Sequence, residues 1–491
     1  MSQTIIVIDD LSDWAHFYPS KQVMTFSQYF KEQPRSSAQR TRVINLCDNS
    51  RYLSDGYYCS LLAEARRNHV IPSVRVLNDL AKRSLYRLHL EDVSETLEKT
   101  LRACSHDEVI RLKTFFGNAM QSEYRELARR LFERFPCPIL EVTLRFRKRW
   151  EITALKPRSH RGLTDEEETA FADALDEFSR KIWRKTRTRK NFRYDMAILV
   201  NPDEKLPPSD KSALKKMITA GNELGIDVEL ITQADYMSLP EFDGLFIRET
   251  TAIDHHTYRF SKRAESENMV VIDDPTSILR CTNKVYLAEL FRAHKVPTPR
   301  TRVIQKNNPQ QIEELEKDFG YPIVIKIPDG SFSRGVVKVA NNDELHRHLD
   351  ELFRKSSLLL AQEFLFTEFD WRIGILNHKP LFACRYFMVR NHWQIYRHGD
   401  NGTRSGGFET VAIESAPRAV VQAALNATLP IGDGLYGVDV KEANNKGYVI
   451  EVNDNPNIDS GIEDRYLGKE LYRLLMGEFL RRMNLRRSMQ Q

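Results

Sequence analysis

Three oxygen-bearing side chains lie close together near the end of the chain, in two segments whose apolar residues predict strands. Asp439 falls in an apolar run, and Glu451 and Asn453 fall in the next one, Tyr448–Asn453. Because residues two apart in a strand share a face, Glu451 and Asn453 are expected to point the same way. Mg²⁺ favours carboxylate oxygens together with substrate phosphates, so the three side chains predict a magnesium site. The alternative is an edge hairpin whose acids face solvent.

A lysine followed by a loop of small residues forms a second candidate site. Lys326 ends the apolar segment Ile323–Lys326, and another apolar segment, Val336–Val339, returns after the loop. The loop carries Gly330, Ser331, Ser333, Arg334 and Gly335. Small residues let backbone N–H groups approach an anion, and the lysine supplies a positive charge for phosphate oxygens. The order of residues is not that of a Walker A loop, and a hairpin with a surface lysine remains the alternative.

Two further segments lie between these motifs. The apolar strand predicted at Leu358–Gln362 leads into Glu363, Phe364 and Leu365, which can offer backbone groups to an adenine edge. A predicted loop over residues 398–407 places Asn401 and Arg404 among glycines. An arginine there suits a clamp on a transferring phosphoryl group, and an ordinary turn-rich loop is the alternative.

The bulk composition indicates an ordinary globular protein. The 491 residues are 41% hydrophobic and 29% charged, with 73 basic and 68 acidic residues giving a net charge of +5. That excess is too small to indicate nucleic acid as a partner. The six cysteines are scattered without a C-x-x-C pair, which predicts reduced thiols. Since no signal peptide and no apolar stretch of about 18 residues is evident, we expect a cytoplasmic protein without a membrane partner.

Four regions follow from the patterns along the chain. Residues 1–155 predict a small α/β domain, with strands that include Ile139–Phe146. Residues 156–193 predict a helical linker that begins with a capping box at Thr164 and Glu167 and ends in a basic stretch. The basic stretch, residues 180–193, is interpreted as a solvated helix end, with a nucleic-acid patch as the alternative. Alternating strands and helices over 194–280 predict a parallel sheet, and 281–491 mixes helices with antiparallel strands.

The order of the motifs resembles the ATP-grasp superfamily, closest to the RimK-like ligases that add glutamate to a protein C-terminus. The series covers about residues 194–485 and runs through Asn283-Lys284, Lys326, Gln362-Glu363-Phe364, Asp370-Trp371-Arg372, Arg404-Ser405-Gly406-Gly407, Gly437-Val438-Asp439 and Ile450-Glu451-Val452-Asn453. Residues 1–155 resemble the domain found ahead of ATP-grasp modules in a RimK-like subfamily. The resemblance implies a Rossmann-like pre-ATP-grasp domain at 194–280 and a two-lobed α+β ATP-grasp domain at 281–491.

The resemblance also implies roles for individual residues. Lys284 and Lys326 would hold the α- and β-phosphates of ATP, and the loop at 330–335 would close over the β- and γ-phosphates. The remaining implied roles are adenine contact for Glu363, Phe364 and Leu365, ribose contact for Asp370, a hold on the transferred phosphoryl for Arg404 and Asn401, and one or two Mg²⁺ (or Mn²⁺) ions for Asp439, Glu451 and Asn453. RimK-type loops usually have a further glycine where this chain has Ser333, and Arg334 follows it. Arg334 is therefore expected to reach a phosphate or an acidic substrate.

The implied activity is that of an ADP-forming carboxylate–amine ligase acting through an acyl phosphate. A peptide, a protein tail or a small metabolite could supply the substrates, and the oligomeric state stays open. Three alternatives are a nucleotide-binding regulator without turnover, an ATP-grasp phosphotransferase and an RNA-associated factor. Arg248, which follows the predicted strand Gly244–Ile247, either binds a substrate carboxylate or forms a surface salt bridge.

Overall fold

Two compact units make up the protein, at residues 1–187 and 188–491. The computed structural model describes residues 3–14, 22–32, 41–48, 51–66, 68–82, 86, 90–101, 109–147, 149–182, 192–306, 308–329, 335–389, 393–399 and 402–488. Most of the basic stretch at 180–193 lies outside these residues, so neither of its two interpretations is tested. The predicted boundaries of the four regions likewise stay predictions.

The first unit contains one parallel and one antiparallel sheet in its described residues. Its strands are β1 (Gln3–Ile8), β2 (Val23–Thr25), β3 (Thr41–Asn45), β4 (His69–Ile71), β5 (Val109–Phe115), β6 (Asn118–Ala119), β7 (Ile139–Phe146) and β8 (Trp150–Pro157). Its helices are α1 (Phe26–Lys31), α2 (Asp55–Ala65), α3 (Val74–Ala81), α4 (Glu91–Thr100), α5 (Arg125–Arg134) and α6 (Asp165–Ile182). The parallel sheet has the order β2-β1-β3-β4, and the antiparallel sheet has the order β6-β5-β7-β8.

Local sequence rules account for two features of this unit. Strand β7 alternates buried and less buried side chains, as its alternating sequence predicts. Helix α6 begins with the predicted capping box, since the Glu167 amide donates to Thr164 Oγ1 at 3.3 Å and the Thr164 amide donates to the Glu167 carboxylate at 3.0 Å. The pattern analysis missed β5 and β8, which flank β7 and are recognisable only once their pairing with it is known.

A parallel sheet opens the second unit, which confirms the prediction from strand–helix alternation. The elements are β9 (Tyr194–Leu199), α7 (Lys211–Glu223), β10 (Ile226–Ile231), β11 (Gly244–Ile247), α8 (His256–Ser266), β12 (Val270–Ile272) and α9 (Pro275–Thr282). The strands pair in the order β10-β9-β11-β12, all parallel. The side chains of β9, β11 and β12 are buried almost throughout, as expected for strands covered on both faces. The edge strand β10 exposes Glu229 and Leu230.

Antiparallel sheets follow in the rest of the second unit. The helices are α10 (Lys284–Ala293), α11 (Pro309–Phe319), α12 (Asn342–Leu352), α13 (Arg418–Thr428) and α14 (Lys469–Ser488). The strands are β13 (Thr301–Gln305), β14 (Ile323–Lys326), β15 (Val336–Val339), β16 (Leu358–Glu363), β17 (Phe369–Leu376), β18 (Lys379–Phe387), β19 (Tyr396–Gly399), β20 (Gly402–Ser405), β21 (Phe408–Val411), β22 (Leu435–Ala443) and β23 (Lys446–Asn453). They form the sheets β13-β16-β14-β15, β21-β18-β17-β22-β23 and β19-β20.

The loop predicted over residues 398–407 is wrong in part. Within it, β20 pairs with β19 in an antiparallel hairpin, and Arg404 opposes Arg397 in that pairing. Glycine-rich sequence had indicated irregular backbone, but short two-stranded ribbons also tolerate glycine at their ends. The hairpin therefore replaces most of the expected loop.

One apolar core joins the parallel sheet β9–β12 to the elements that follow it. Helix α14 contributes Leu475 and Phe479 to a cluster with Met196 and Phe246, and the Phe246 and Phe479 rings lie 5.3 Å apart. Phe382 from β18 completes the contact. Because burial of such side chains contributes about 1.5–3 kcal/mol each, this core holds the parallel sheet and the five-stranded sheet as one body.

Two further findings concern the described residues. None of their helices is long and apolar enough to cross a membrane. Five cysteines, Cys47, Cys59, Cys137, Cys281 and Cys384, are buried free thiols, which confirms the expectation of reduced cysteines for these five.

Candidate functional site

A cleft in the second unit gathers most of the chemistry-bearing residues that the sequence singled out. It is lined by residues of β14 and β16 on one side and of β17, β22 and β23 on the other. The predicted site residues in its lining are Lys284, Lys326, Glu363, Phe364, Leu365, Asp370, Asp439, Glu451 and Asn453. The fold therefore brings together residues that lie more than 150 positions apart in the sequence.

Asp439 and Glu451 face each other directly across the pair β22–β23. The turn at Asn444 and Asn445, with φ of 51° and 58°, sets the hairpin, as two left-handed residues do in a tight turn. A bulge then shifts the register, because Val440 opposes Val449 whereas Asp439 opposes Glu451. In regular pairing Asp439 would oppose Ile450 instead. The bulge thus places two carboxylates side by side, and bulges of this kind commonly re-aim a side chain next to a site.

Asn453 completes the trio predicted from the sequence. Its amide Nδ2 donates to Asp439 Oδ2 and to the Gly437 carbonyl, each at 3.3 Å. That arrangement leaves Asn453 Oδ1 without a hydrogen bond from any described residue. The alternative of an edge hairpin with solvent-facing acids is disfavoured, since the side chains of Asp439 and Glu451 are only 14% and 28% exposed.

Cations lie against both carboxylates. The Arg372 guanidinium forms a two-point ion pair with Asp439, with Nη2 3.0 Å from Oδ2. Burial raises the pKa of Asp439 even so, although the Arg372 charge opposes the shift. Lys284 Nζ lies 2.8 Å from Glu451 Oε1. Burial would raise the pKa of Glu451, but the Lys284 and Lys326 ammonium groups outweigh it and hold that pKa below its usual range.

Among the described residues that line the cleft, Lys326 is a cation without a carboxylate in ion-pair distance. It is 8% exposed at the end of β14, and its ammonium makes no hydrogen bond or ion pair with any residue that the structure describes. Burial lowers its pKa to about 8, and the neighbouring Lys284 charge acts in the same direction against the attraction of Glu451. A buried ammonium is costly unless an anion compensates it. The position therefore calls for an anion in the cleft.

The strand β16 leads into the predicted adenine-side residues. Glu363 is held in place by Arg300, whose Nε lies 2.6 Å from Oε2 and whose backbone amide donates to Oε1 at 2.8 Å. The Phe364 ring lies 6.1 Å from that of Trp393, and Lys338 Nζ lies 4.6 Å from the Phe364 ring centre. These contacts form an aromatic wall at one end of the cleft.

Asp370 is engaged within the protein. Lys441 Nζ lies 2.5 Å from Asp370 Oδ1, and the Thr367 hydroxyl donates to the same oxygen at 3.1 Å. Lys441 also donates to Thr367 Oγ1 at 2.7 Å. The carboxylate predicted to meet a ribose is thus buried and paired with a lysine. Its second oxygen, Oδ2, takes no part in these bonds.

Several predicted residues lie outside the residues that the structure describes. They are Gly330, Ser331, Ser333, Arg334 and Asn401. Arg404 is described only by its backbone, in β20. At the near end of the small-residue loop, Gly335 has φ of 72°, and a Cβ there would lie 2.3 Å from Ile327 Cγ2. Gly335 is therefore required on both conformational and steric grounds.

Sequence reasoning gave no role to two cations of the cleft. Arg372 is two residues from Asp370 in β17, and Lys441 is two residues from Asp439 in β22. Both therefore share a strand face with a residue that the motif analysis did identify, and this spacing of two was the available signal.

Arg248 corrects both of its sequence-based interpretations. It is 1% exposed, so it forms no surface salt bridge. Its Nε donates to Ser209 Oγ at 3.0 Å, its Nη1 to Asn455 Oδ1 at 2.8 Å, and its Nη2 to the Pro456 carbonyl at 2.8 Å. Burial lowers its pKa to about 10, against the pull of nearby carboxylates. The guanidinium ties the parallel sheet to the segment after β23 and is largely committed there.

The loop after Arg248 forms the far end of the cleft. Thr250 and Thr251 line it, and the Thr251 hydroxyl donates to Asp454 Oδ2 at 2.8 Å. Behind Asp454, both carboxyl oxygens of the buried Asp273 lack a hydrogen-bond partner among the described residues. Burial raises the pKa of Asp273 well above its ordinary value, and Asp454 adds to the shift.

Comparisons with known proteins agree with the geometry. A family model described as a RimK-like ATP-grasp domain matches residues 281–474, and a model of the RimK-like ATP-grasp N-terminal domain matches residues 26–174. The chain is 29% identical over 264 residues to an alpha-aminoadipate–LysW ligase, LysX, of Saccharolobus solfataricus, a match that covers 49% of this chain and 88% of the relative. It is 27% identical over 240 residues to a probable alpha-L-glutamate ligase of Shewanella loihica, covering 48% and 76%.

Among solved structures, a D-alanine–D-alanine ligase from Bacillus anthracis aligns with 60% of this chain and 99% of its own. The TM-score is 0.47 and the sequence identity is 18%. The two family models and the ligase relatives together bear out the resemblance read from the motif order. The chain is a member of the RimK-like ATP-grasp ligases, ADP-forming enzymes that use ATP to join carbon to nitrogen.

Proposed function

We propose that the protein forms an amide bond between a carboxylate and the amine of an amino acid, through an acyl phosphate made in the cleft described above. The observation that carries the proposal is the buried, unpartnered ammonium of Lys326 beside the facing carboxylates Asp439 and Glu451. Such a pairing of cation and acids suits a polyphosphate that arrives with a divalent metal ion.

The donor set fits magnesium. Asp439, Glu451 and Asn453 supply oxygens on one face of two adjacent strands, and Glu451 Oε2 and Asn453 Oδ1 accept no hydrogen bond from a described residue. Hard oxygen ligands of this kind favour Mg²⁺ or Mn²⁺ over softer metals. When bound, the ion neutralises charge on the phosphate oxygens.

The chain's own residues would bind and orient ATP. Lys284 and Lys326 would hold its α- and β-phosphates, and Glu363, Phe364 and Leu365 would meet the adenine. Asp370 would bind the ribose through the carboxylate oxygen that Lys441 leaves over. Arg404 and Asn401, with the loop at 330–335, would hold the transferred phosphoryl and exclude water from the acyl phosphate.

Two bond exchanges make up the reaction. A substrate carboxylate oxygen attacks the γ-phosphorus, and ADP leaves. The amine then attacks the acyl carbon, inorganic phosphate leaves with the C–O bond pair, and the amine loses a proton. Because no protein nucleophile takes part, catalysis rests on positioning and on charge stabilisation.

The names of the relatives guide the choice of substrates. One is an alpha-aminoadipate–LysW ligase and another a probable alpha-L-glutamate ligase, so an acidic amino acid is the first candidate for this chain. The partner substrate would be a peptide, a protein tail or a small metabolite that carries a carboxylate.

The test is incubation of the full chain with ATP, Mg²⁺, pooled amino acids and pooled peptides, followed by mass spectrometry. We expect a product whose mass equals the sum of acid and amine less one water, with ADP and phosphate in equal amounts. A carboxylate labelled with heavy oxygen should deliver one labelled oxygen to the released phosphate. A phosphorylated product without an amide, or unlabelled phosphate, would contradict the proposal.

A further inference from the structure

A cluster of two histidines and a glutamate lies at the carboxyl edge of the parallel sheet and shares no residue with the magnesium-type ligands. Glu249 follows β11, and His255 and His256 stand at the start of α8. Glu249 is 1% and His256 8% exposed, while His255 is partly buried. Candidate ligand atoms of all three lie within 4.8 Å of one another, and among the residues that the structure describes no second group of this kind is found.

Neighbouring side chains already orient each member. Glu249 Oε2 lies 2.8 Å from His256 Nε2, and Asn201 Nδ2 donates to Glu249 Oε1 at 3.2 Å. His255 Nδ1 lies 3.2 Å from Thr257 Oγ1, which leaves Nε2 of that ring for another partner. Asn201 and Thr257 lie outside the trio, and outer hydrogen bonds of this type fix the direction of metal-binding carboxylates and histidines. The Glu249–His256 contact joins two members of the trio.

We propose that Glu249, His255 and His256 bind a divalent transition-metal ion, with zinc as the best match. Two imidazoles and one carboxylate are a common three-ligand set for zinc, whereas magnesium avoids imidazole. In a tetrahedral site the ligand atoms lie roughly 3.3 Å apart. The Glu249–His256 pair at 2.8 Å would therefore open slightly, and atoms at up to 4.8 Å would move closer. Three protein ligands leave a fourth position for water or another group.

The electrostatics agree with this ligand set. The Glu249 carboxylate lies in a buried position beside Arg248, so a cation between it and the two rings would add compensation.

The ion would fasten both ends of a cleft-lining loop. Residues 249–256 contain Thr250 and Thr251, whose hydroxyls bond to Glu204 and to Asp454. With the ion bound, this loop is held between β11 and α8. Loss of the ion is therefore expected to raise KM for the amine or the carboxylate substrate more than it lowers kcat.

The experiment uses the full chain stripped with a chelator and kept in excess Mg²⁺ so that the cleft ligands are saturated. Zn²⁺ is titrated in competition with a chromophoric chelator, and Co²⁺ binding is followed by visible absorption. We expect one tight ion per chain, weakened at least tenfold in Glu249→Gln and in His255→Gln, and about 10-fold in Asn201→Ala. Because His255 is partly exposed, His255→Gln is the variant that should retain its fold even if Glu249→Gln does not.

Two controls separate this site from the cleft. Glu451→Gln and His346→Gln, the latter at an exposed helix position, should bind Zn²⁺ and Co²⁺ as the unaltered chain does. The proposal is overturned if the unaltered chain binds Zn²⁺ no more tightly than His255→Gln. It is also overturned if Glu451→Gln, rather than His255→Gln, removes the Co²⁺ absorption.

Discussion

The two parallel sheets of this protein have the same strand order but different edges. In the first unit the order is β2-β1-β3-β4, and in the second it is β10-β9-β11-β12. In each sheet the strand that comes first in the sequence lies second in space, and the third strand in the sequence lies beside it. Both carry polar residues at the carboxyl ends of their strands, the edge at which such sheets usually bind ligands.

At the first edge, Asn45 and Asp48 form hydrogen bonds within the first unit. Asn45 Nδ2 donates to the Gly56 carbonyl at 2.6 Å and to Ser60 Oγ at 2.8 Å, and the Asp48 amide donates to Asp9 at 3.0 Å. These bonds tie the strand end to the following helix.

At the second edge the polar groups reach the neighbouring module. Arg248 donates to Asn455 and Pro456, and Asn455 Nδ2 donates back to the Glu249 carbonyl at 2.7 Å. The same loop continues into the cleft through Thr250 and Thr251. In the described residues, the same sheet topology meets the opposing groups of this module at the second edge, which illustrates that fold alone does not give function.

The largest expected effect is on the stability of the second sheet. Arg248→Met removes four hydrogen bonds and leaves nearby buried carboxylates uncompensated, so it should destabilise the sheet by about 3–5 kcal/mol. Hydrogen exchange over residues 194–280 measures the change. Arg259→Met, at an exposed position of α8, should stay within about 0.5 kcal/mol. Equal effects of the two would contradict the linking role of Arg248.

Removing one carboxylate of the cleft should affect turnover rather than the fold. Glu451→Gln is expected to lower ADP formation at least about 100-fold, because a charged ligand is lost where phosphate charge develops. Steady-state ADP release and the thermal midpoint are measured together. The exposed acid Glu414 offers the control Glu414→Gln, which should be neutral. Undiminished turnover in Glu451→Gln would count against the assigned ligand.

The first edge is expected to matter only locally. Asn45→Ala leaves buried partners unsatisfied and should destabilise the first sheet by about 1–3 kcal/mol. Asn118→Ala, which loses an exposed hydrogen bond to Glu177, should cost less. ADP formation below the unfolding temperature should be unchanged in both variants. A loss of turnover in Asn45→Ala alone would break the contrast between the two edges.

The smallest expected effect is a pH dependence of ATP binding. Since the pKa of Lys326 is about 8 and bound phosphates would raise it, ATP affinity should fall above pH 8, by up to about tenfold per pH unit. Below pH 8 Lys326 is charged, so its protonation adds no pH dependence to ATP affinity. In Lys326→Arg the charge persists at high pH, so the slope should disappear. Calorimetric titration from pH 7 to 9.5 would refute the assignment if both proteins showed the same slope.

The contribution of Lys326 to folding stability changes with pH in the opposite direction to ATP affinity. The pKa of Lys326 lies below the ordinary lysine value of 10.5, so the folded protein binds fewer protons than the unfolded chain between pH 8 and 10.5. Stability contributed by Lys326 should therefore rise across that window, while ATP affinity falls.

The sequence was a good guide where local patterns decide the outcome. The bounds predicted for Gly244–Ile247, Ile323–Lys326 and Val336–Val339 match the structure, because apolar runs of this length between turn residues form strands. The order of motifs was enough to identify the family. The role of each site residue and the four region boundaries stay predictions.

Sequence reasoning failed where a side chain's environment comes from distant residues. Arg248 reads as an exposed arginine after a strand, yet Ser209 and the segment after β23 enclose it. The spacing of Lys441 from Asp439 gave no indication of its ion pair with Asp370, which is 71 residues away. Such burial and pairing are properties of packing, which no local pattern encodes.

By itself, then, the sequence determined which residue types were present for phosphate and metal chemistry and on which strands they would lie. Only the tertiary structure decided that Glu451, and not Ile450, faces Asp439, because a bulge in β22–β23 shifts the pairing by one residue. A shift of one residue moves a side chain to the opposite face of a strand, so this single irregularity brings the two carboxylates together.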